Sequence, residues 1–218
     1  FKKDEAIKSP LAHAVSRKVI AESGDYNLSG DRYKVTENAA SSFEIVAIGE
    51  IADVISGQSP ESKYYNEDGE GLPFYQGKTE FTENVIGEPQ KWTTRVTKKA
   101  EKNDILMSVR APVGPVNLSQ ETICIGRGLA AIRTKDSSVV DQSYLFSVIK
   151  NIPETFKALS GGSTFESINR SQIESVKIPL PPLEIQQKIV DEIENKQKAI
   201  DHAREIIKTL ERERESLF

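Results

Sequence analysis

The 218 residues are 37% hydrophobic and 28% charged, the balance of a soluble protein carrying exposed helix. No run approaches the roughly 18 apolar residues of a membrane span, and no secretory signal opens the chain. The single cysteine, Cys124, excludes an internal disulfide framework and fits a reducing, cytoplasmic setting.

The first residue is Phe1 rather than Met, so a piece of a longer protein is expected. Ser9-Pro10 makes a good helix start, serine at the N-cap and proline in the first turn. Leu11, Val15 and Val19 then recur at helical spacing up to Ser23-Gly24. The polar run from Thr36 to Ser42 reads as the linker before the main domain. From Phe43 to about Lys135 the pattern is short and strand-like: Phe43 to Ile48, Ile51 to Ile55, Leu72 to Gln76, Asp104 to Val109, Thr122 to Ile125 and Gly128 to Arg133. Turn formers separate these runs, among them Gly57-Gln58-Ser59-Pro60, Asp68-Gly69-Glu70-Gly71 and Gly126-Arg127-Gly128. Many short strands at such spacing predict a curled or barrel-like sheet. Cys124, between Ile123 and Ile125, reads as part of its core.

Asp141 to Lys150 and Pro153 to Leu159 read as helices, the first with Tyr144, Leu145, Val148 and Ile149 on its apolar face. Ser160 to Thr164 is a flexible, donor-rich loop, suited to holding phosphate or simply to linking helices. Phe165 and Ile168 are expected to anchor the following segment while Thr164, Asn169 and Arg170 stay free. Pro179, Pro181 and Pro182 lack amide donors, so strand pairing is expected to stop there. Pro182 then opens one long helix, with Glu184 near its positive end. Ile189, Ile193, Ile200, Ala203, Ile207 and Leu210 form a seam of three- and four-residue steps along it, interrupted at Lys196. A stripe this narrow requires a partner helix, from this chain, a second copy or another subunit.

Taken in order, several segments carry a resemblance: Gly57-Gln58-Ser59-Pro60, Tyr64-Tyr65-Asn66, Gly71-Leu72-Pro73-Phe74-Tyr75-Gln76-Gly77-Lys78, Asn103 to Gly114, and Gly126-Arg127-Gly128-Leu129-Ala130. The serine–glycine loop, Ile178-Pro179-Leu180-Pro181-Pro182-Leu183-Glu184 and Gln186-Gln187-Lys188-Ile189-Val190 complete the series. The series resembles the target-recognition domains of type I restriction–modification specificity subunits, from about Ser42 to Phe218. The expected fold is therefore α+β: a β-rich target-recognition domain with small helices, then one long coiled-coil-like C-terminal helix. The expected division is 1–40, 41–181 and 182–218. Asp25-Tyr26-Asn27-Leu28-Ser29-Gly30-Asp31-Arg32-Tyr33 looks like the tail of an adenine DNA methyltransferase, which implies a fused methyltransferase–specificity polypeptide.

Catalytic chemistry is not visible in the sequence. An amino-methyltransferase needs an Asp/Asn-Pro-Pro-Tyr/Phe loop to grip the flipped base, and Pro181-Pro182 is flanked by Leu180 and Leu183 instead. His13 and His202 have no histidine partner at helical spacing, and Cys124 has no partner for zinc. No catalytic residue, metal or cofactor is expected within this chain; S-adenosylmethionine belongs to the missing methyltransferase region.

Binding chemistry is better represented. The net charge is −4, but residues 48–88 hold nine acids against two bases, and residues 89–135 nine bases against three acids. Such segregation lets one face attract phosphate. Lys91, Arg95, Lys98, Lys99 and Lys102 suit phosphates. Gln58, Gln76, Lys78, Arg110 and Arg127 carry the groups that read base edges, each beside Gly or Pro in an expected turn. Tyr64 and Tyr65 could pack on sugar or base; equally, Tyr65 could be core and the two arginines could brace the sheet. The expected DNA-contacting set is Gln58, Lys63, Tyr64, Gln76, Lys78, Arg95, Lys98, Lys99, Arg110, Arg127, Thr164 and Arg170. The expected function is sequence-specific recognition of double-stranded DNA within a type I-like restriction–modification system, with methyltransferase and restriction regions or subunits as partners and a homodimer through the helix left open. The alternative is a non-catalytic coiled-coil assembly module that binds protein.

Overall fold

The structure, a computed structural model, describes residues 43–161 and 167–215. The readings made at residues 1–42, at Thr164 and at Phe165 fall outside them. From Glu44 onward the described residues belong to one compact unit, Glu44–Phe218.

Two central strands explain the architecture. β7 (Ile105–Ser108) is buried at every position, and so are the first four residues of β10 (Leu129–Thr134). Side chains alternate sides along a strand, so a strand buried at every position must be covered on both faces. Ile105, Met107, Ala130 and Ile132 enter one core, and Leu106, Leu129 and Ala131 the other. These strands lie in a four-stranded antiparallel sheet ordered β2 (Ala52–Ser56), β10, β7, β8 (Val116–Leu118).

One face of that sheet is covered by helices α2 (Gln142–Lys150) and α3 (Pro153–Leu159), which supply Tyr144, Leu145, Phe146, Ile149 and Phe156. Asp141 caps α2 by accepting the Tyr144 N–H at 2.9 Å, and proline opens α3. The other face meets a five-stranded sheet of very short strands, ordered β3 (Tyr65–Asn66), β5 (Trp92–Thr93), β4 (Leu72–Tyr75), β9 (Ile123–Ile125), β6 (Lys99–Ala100), in which only β4 and β9 run parallel. Cys124 is fully buried there, as expected of a core residue.

Two local expectations are corrected. Ile48, read as the end of a strand, instead opens the helical turn α1 (Ile48–Ile51) after β1 (Glu44–Ala47). The cause is tertiary: the Ile48 N–H donates to Val176 at 2.9 Å, and a Cβ on Gly49 would lie 2.8 Å from Glu174 of α4 (Arg170–Glu174). Pro179 does not stop strand pairing either. It sits inside β11 (Lys177–Leu180), opposite Ile45 of β1. This sheet has two strands, so each is an edge, where a missing amide donor is tolerated.

The final element is α5 (Leu183–Glu215), 33 residues long and so about 50 Å at 1.5 Å per residue. Its root is pinned by Gln186, whose fully buried amide donates to Val139 (3.0 Å) and Pro181 (2.7 Å) and accepts the Asp141 N–H (2.8 Å).

The asymmetry of the basic segment has a structural component that the sequence conceals. Arg133 forms a two-pronged ion pair with Asp104, both contacts at 2.7 Å, and Asp104 also accepts the Glu101 N–H at 2.8 Å. The carboxylate is buried, and its hydrogen bond holds the Arg133 guanidinium above its ordinary pKa. Asp104→Ala removes these bonds and strands a half-exposed cation. A loss of about 2–3 kcal/mol is expected, to be read as a lower urea midpoint at unchanged slope.

Candidate nucleic-acid interface

Three loops that are far apart in sequence meet in a knot of main chain. They are the segment after β2 (Gly57-Gln58-Ser59), the segment after β4 (Gln76-Gly77) and the β9–β10 turn (Gly126-Arg127-Gly128). Gly57 N–H donates to Leu129 (2.9 Å), Gln58 N–H to Ile125 (2.9 Å), Gly126 N–H to Tyr75 (2.8 Å) and Gly128 N–H to Gln76 (3.0 Å). At Gly57 and Gly128 the backbones approach so closely that no Cβ fits between them. One on Gly57 would stand 2.1 Å from the Gly126 oxygen, and one on Gly128 would stand 2.4 Å from the Gln76 oxygen.

On this knot the side chains of Gln58, Gln76 and Arg127 are exposed. The Ser59 hydroxyl oxygen accepts the Arg127 N–H at 3.3 Å, and the Thr97 hydroxyl donates to the Gln58 carbonyl. The knot extends to Arg110, because Val109 N–H donates to Gly128 (3.0 Å), Ile168 N–H donates to Val109 (3.0 Å), and Arg110 bridges to Ser167. Ile168 is buried, anchoring this edge as expected. Among the described residues neither Arg110 nor Arg127 pairs with a carboxylate. Lys78 is exposed in the turn after Gln76, with its carbonyl accepting the Phe81 N–H at 3.0 Å.

Tyr65 lies below the knot. Its ring stacks on Phe74 at 4.7 Å and its hydroxyl donates to Pro60 at 2.8 Å. Burial pushes its phenol above the ordinary value, and nearby Arg127 and Ser59 pull it back in part. It braces the platform from inside. Tyr64 faces outward, but its ring is already covered by cations: Lys63 at 5.0 Å and Arg95 at 5.2 Å from the centroid. Arg95 also donates to the Tyr64 hydroxyl at 3.0 Å, and Glu61 approaches Lys63 at 2.8 Å and Arg95 at 3.9 Å. This group offers positive charge rather than a free aromatic face. Thr94 N–H to Tyr64 (3.2 Å) ties it to the segment that leads from β5 to Thr97.

Lys98 and Lys99 are exposed where β6 runs beside β9, with Ile125 N–H donating to the Lys98 carbonyl at 3.0 Å. Arg170 is exposed at the start of α4, paired with Glu174 at 2.6 Å. Thus ten of the expected contact residues form a connected series around the knot, Arg170 is locally neutralised, and Thr164 lies outside the described residues. Sequence reasoning missed Ser59 and Thr97. Ser59 lies in a quoted motif, but nothing in one dimension reveals that a hydroxyl ties it to a loop 68 positions away.

The helix seam divides. Ile189 packs on the head's own core beside buried Val190, whereas Ile193, Ile200, Ile207 and Leu210 stay 40–57% exposed. Glu83 reaches α5 from the head, 3.3 Å from Gln197 and 3.5 Å from Arg204. Among the described residues no helix is long and apolar enough to cross a membrane, and no cluster of three or more His, Cys, Asp or Glu could hold a metal ion.

The described residues thus form a β-rich head, with exposed amide and guanidinium side chains on pinned loops, and one long helix leaving its base. The chain belongs to the type I restriction modification DNA specificity domain family, whose model matches residues 40–212. It is 43% identical over 166 residues to the MjaX type I restriction enzyme specificity subunit of Methanocaldococcus jannaschii, covering 75% of this chain and 38% of that one. Among solved structures it is similar to the HsdS subunit from Thermoanaerobacter tengcongensis (39% identity, TM-score 0.64, 73% of this chain and 38% of that one). It is equally similar to a chain from a study of complex assembly and conformational transition of the type I R-M system (41% identity, TM-score 0.64, 74% and 40%). The chain spans less than half the length of the curated relatives it matches.

Proposed function

We propose that this chain reads a short DNA sequence for a type I-like restriction–modification system and directs adenine methylation and cleavage carried out by other regions or subunits. The observation that supports this most is the convergence of Gln58, Gln76, Arg127 and Arg110 on one pinned main-chain platform. Glutamine and arginine are the side chains that pair with adenine and guanine edges through two hydrogen bonds, and fixed loops are what such readout needs. Lys63, Tyr64, Lys78, Arg95, Lys98 and Lys99 then position the phosphates, and Thr164 and Arg170 complete the proposed contact set. In this reading 41–181 is the recognition domain, 182–218 the spacer, and 1–40 the tail of a methyltransferase-like region in which S-adenosylmethionine binds elsewhere. The partners are duplex DNA, the methyltransferase and restriction components, and a second copy joined through α5.

Duplex binding by the full chain should weaken steeply with salt, the logarithmic slope being about −0.9 per neutralised phosphate. Replacing Lys98 and Lys99 together by alanine should lower that slope by about 2 while the preferred sequence stays the same. Binding titrations across a salt series check this. An unaltered slope would remove both lysines from the interface.

A further inference from the structure

The knot contains two hydroxyl side chains spent on holding it together, and one of them joins two reading loops directly. Ser59 follows Gln58 in the chain. Its oxygen accepts the N–H of Arg127 at 3.3 Å and would stand 3.1 Å from a Cβ on Gly126. The peptide carrying Arg127 is thereby fixed against the peptide carrying Gln58. Gln58 itself is held at both ends, its N–H on Ile125 at 2.9 Å and its carbonyl on the Thr97 hydroxyl. Arg127 sits between two glycines whose amides are bonded to Tyr75 (2.8 Å) and Gln76 (3.0 Å), and Ser59 is the side chain that holds its own amide.

We propose that Ser59 is a specificity-determining positioning residue, which aligns Arg127 with Gln58 so that guanidinium and amide meet neighbouring base pairs as one unit. This rests on the DNA-reading function proposed above. The magnitude favours it. An arginine head lies about 6–7 Å from its Cα, so a 20° swing of the Cα–Cβ direction moves the guanidinium by about 2 Å, beyond what a two-pronged hydrogen bond to guanine tolerates. Gly126 and Gly128 are themselves bonded to Tyr75 and Gln76, so cutting the tether frees the Arg127 peptide to tilt between two fixed ends rather than releasing the whole turn. Phosphate contacts made by long, mobile lysines tolerate it, so the loss should fall on discrimination rather than on general attraction.

The test selects binding sites from a randomised duplex pool with the full 218-residue chain, then measures the ratio of affinity for the selected site over unrelated duplex. Ser59→Ala should lower that ratio at least fivefold and relax one base-pair position, the same one relaxed by Arg127→Ala. Adding Ser59→Ala to Arg127→Ala should cost nothing further, because both act through one contact. Ser59→Thr, which keeps the hydroxyl, should restore most of the ratio. A ratio unchanged in Ser59→Ala, a relaxation spread evenly over all positions, or full additivity with Arg127→Ala would each overturn the assignment while leaving the DNA-reading function standing. If the unmodified chain selects no sequence at all, the reading function falls, and this assignment with it.

Discussion

Gly57→Ala is expected to lower the melting temperature of the head by roughly 10 °C, the consequence of about 3–4 kcal/mol in a domain of this size. The added methyl would stand 2.1 Å from the Gly126 oxygen and 2.8 Å from the Leu129 oxygen. Both neighbours are main chain, so no side-chain rotation relieves the clash. The segment could withdraw only by giving up the bonds from Gly57 to Leu129 and from Gln58 to Ile125, each 2.9 Å, and those bonds hold the Gly57–Ser59 loop on the sheet. Gly77→Ala is the matching control. Gly77 lies beside Gln76 in the same knot, but a Cβ there meets nothing within 4 Å. That variant should melt within about 2 °C of the original, because alanine restricts the unfolded chain where the native backbone accepts it. Calorimetry on the two proteins separates close packing from a general intolerance of alanine in these loops. Equal melting of both would show that the knot is looser than its bond lengths indicate.

The same knot shows why part of this chain was readable and part was not. Long periodic runs declared themselves: Pro153–Leu159 is a helix as expected, and Asp141 caps the helix before it. The arm beginning after Pro182 was equally plain, because an apolar residue every three or four positions admits no other regular structure. β3, β5 and β6 were invisible, since two residues cannot show a period. α4 was likewise too short to show one; a reciprocal cap between Asn169 and Gln172, 2.9 Å in each direction, fixes its start. The proposed reading residues were legible as residue types beside glycine and proline. Their assembly was not, because Gly57, Gln76 and Gly126 meet through bonds between main-chain atoms that side-chain patterns do not encode. Arg133 makes the converse point: it looked like part of a basic segment and is spent on Asp104.

Replacing Ile200 and Ile207 by aspartate is expected to convert the dimer proposed above into a monomer without altering the melting of the head. Ile193, Ile200 and Ile207 follow one another at seven-residue steps, with Ala203 and Leu210 three positions after the last two. Isoleucine at the first apolar position of a heptad, with leucine at the second, favours two-stranded pairing. The head occupies the start of this seam through Ile189 and Val190 but leaves Ile200 and Ile207 47% and 55% exposed. The free stretch therefore begins near Ile193, beside a groove of about 270 Å³ that Phe146 and Leu118 also line. Burying one isoleucine is worth about 1.5–3 kcal/mol, and in a twofold pair each substitution is felt twice. Against the roughly 8 kcal/mol that holds a micromolar dimer, two aspartates at the seam leave no stable association. Sedimentation equilibrium at micromolar concentration reads the outcome directly. A chain that sediments as a monomer before substitution would show that the arm does not pair with a second copy, and a dimer that survives both aspartates would place the interface away from α5.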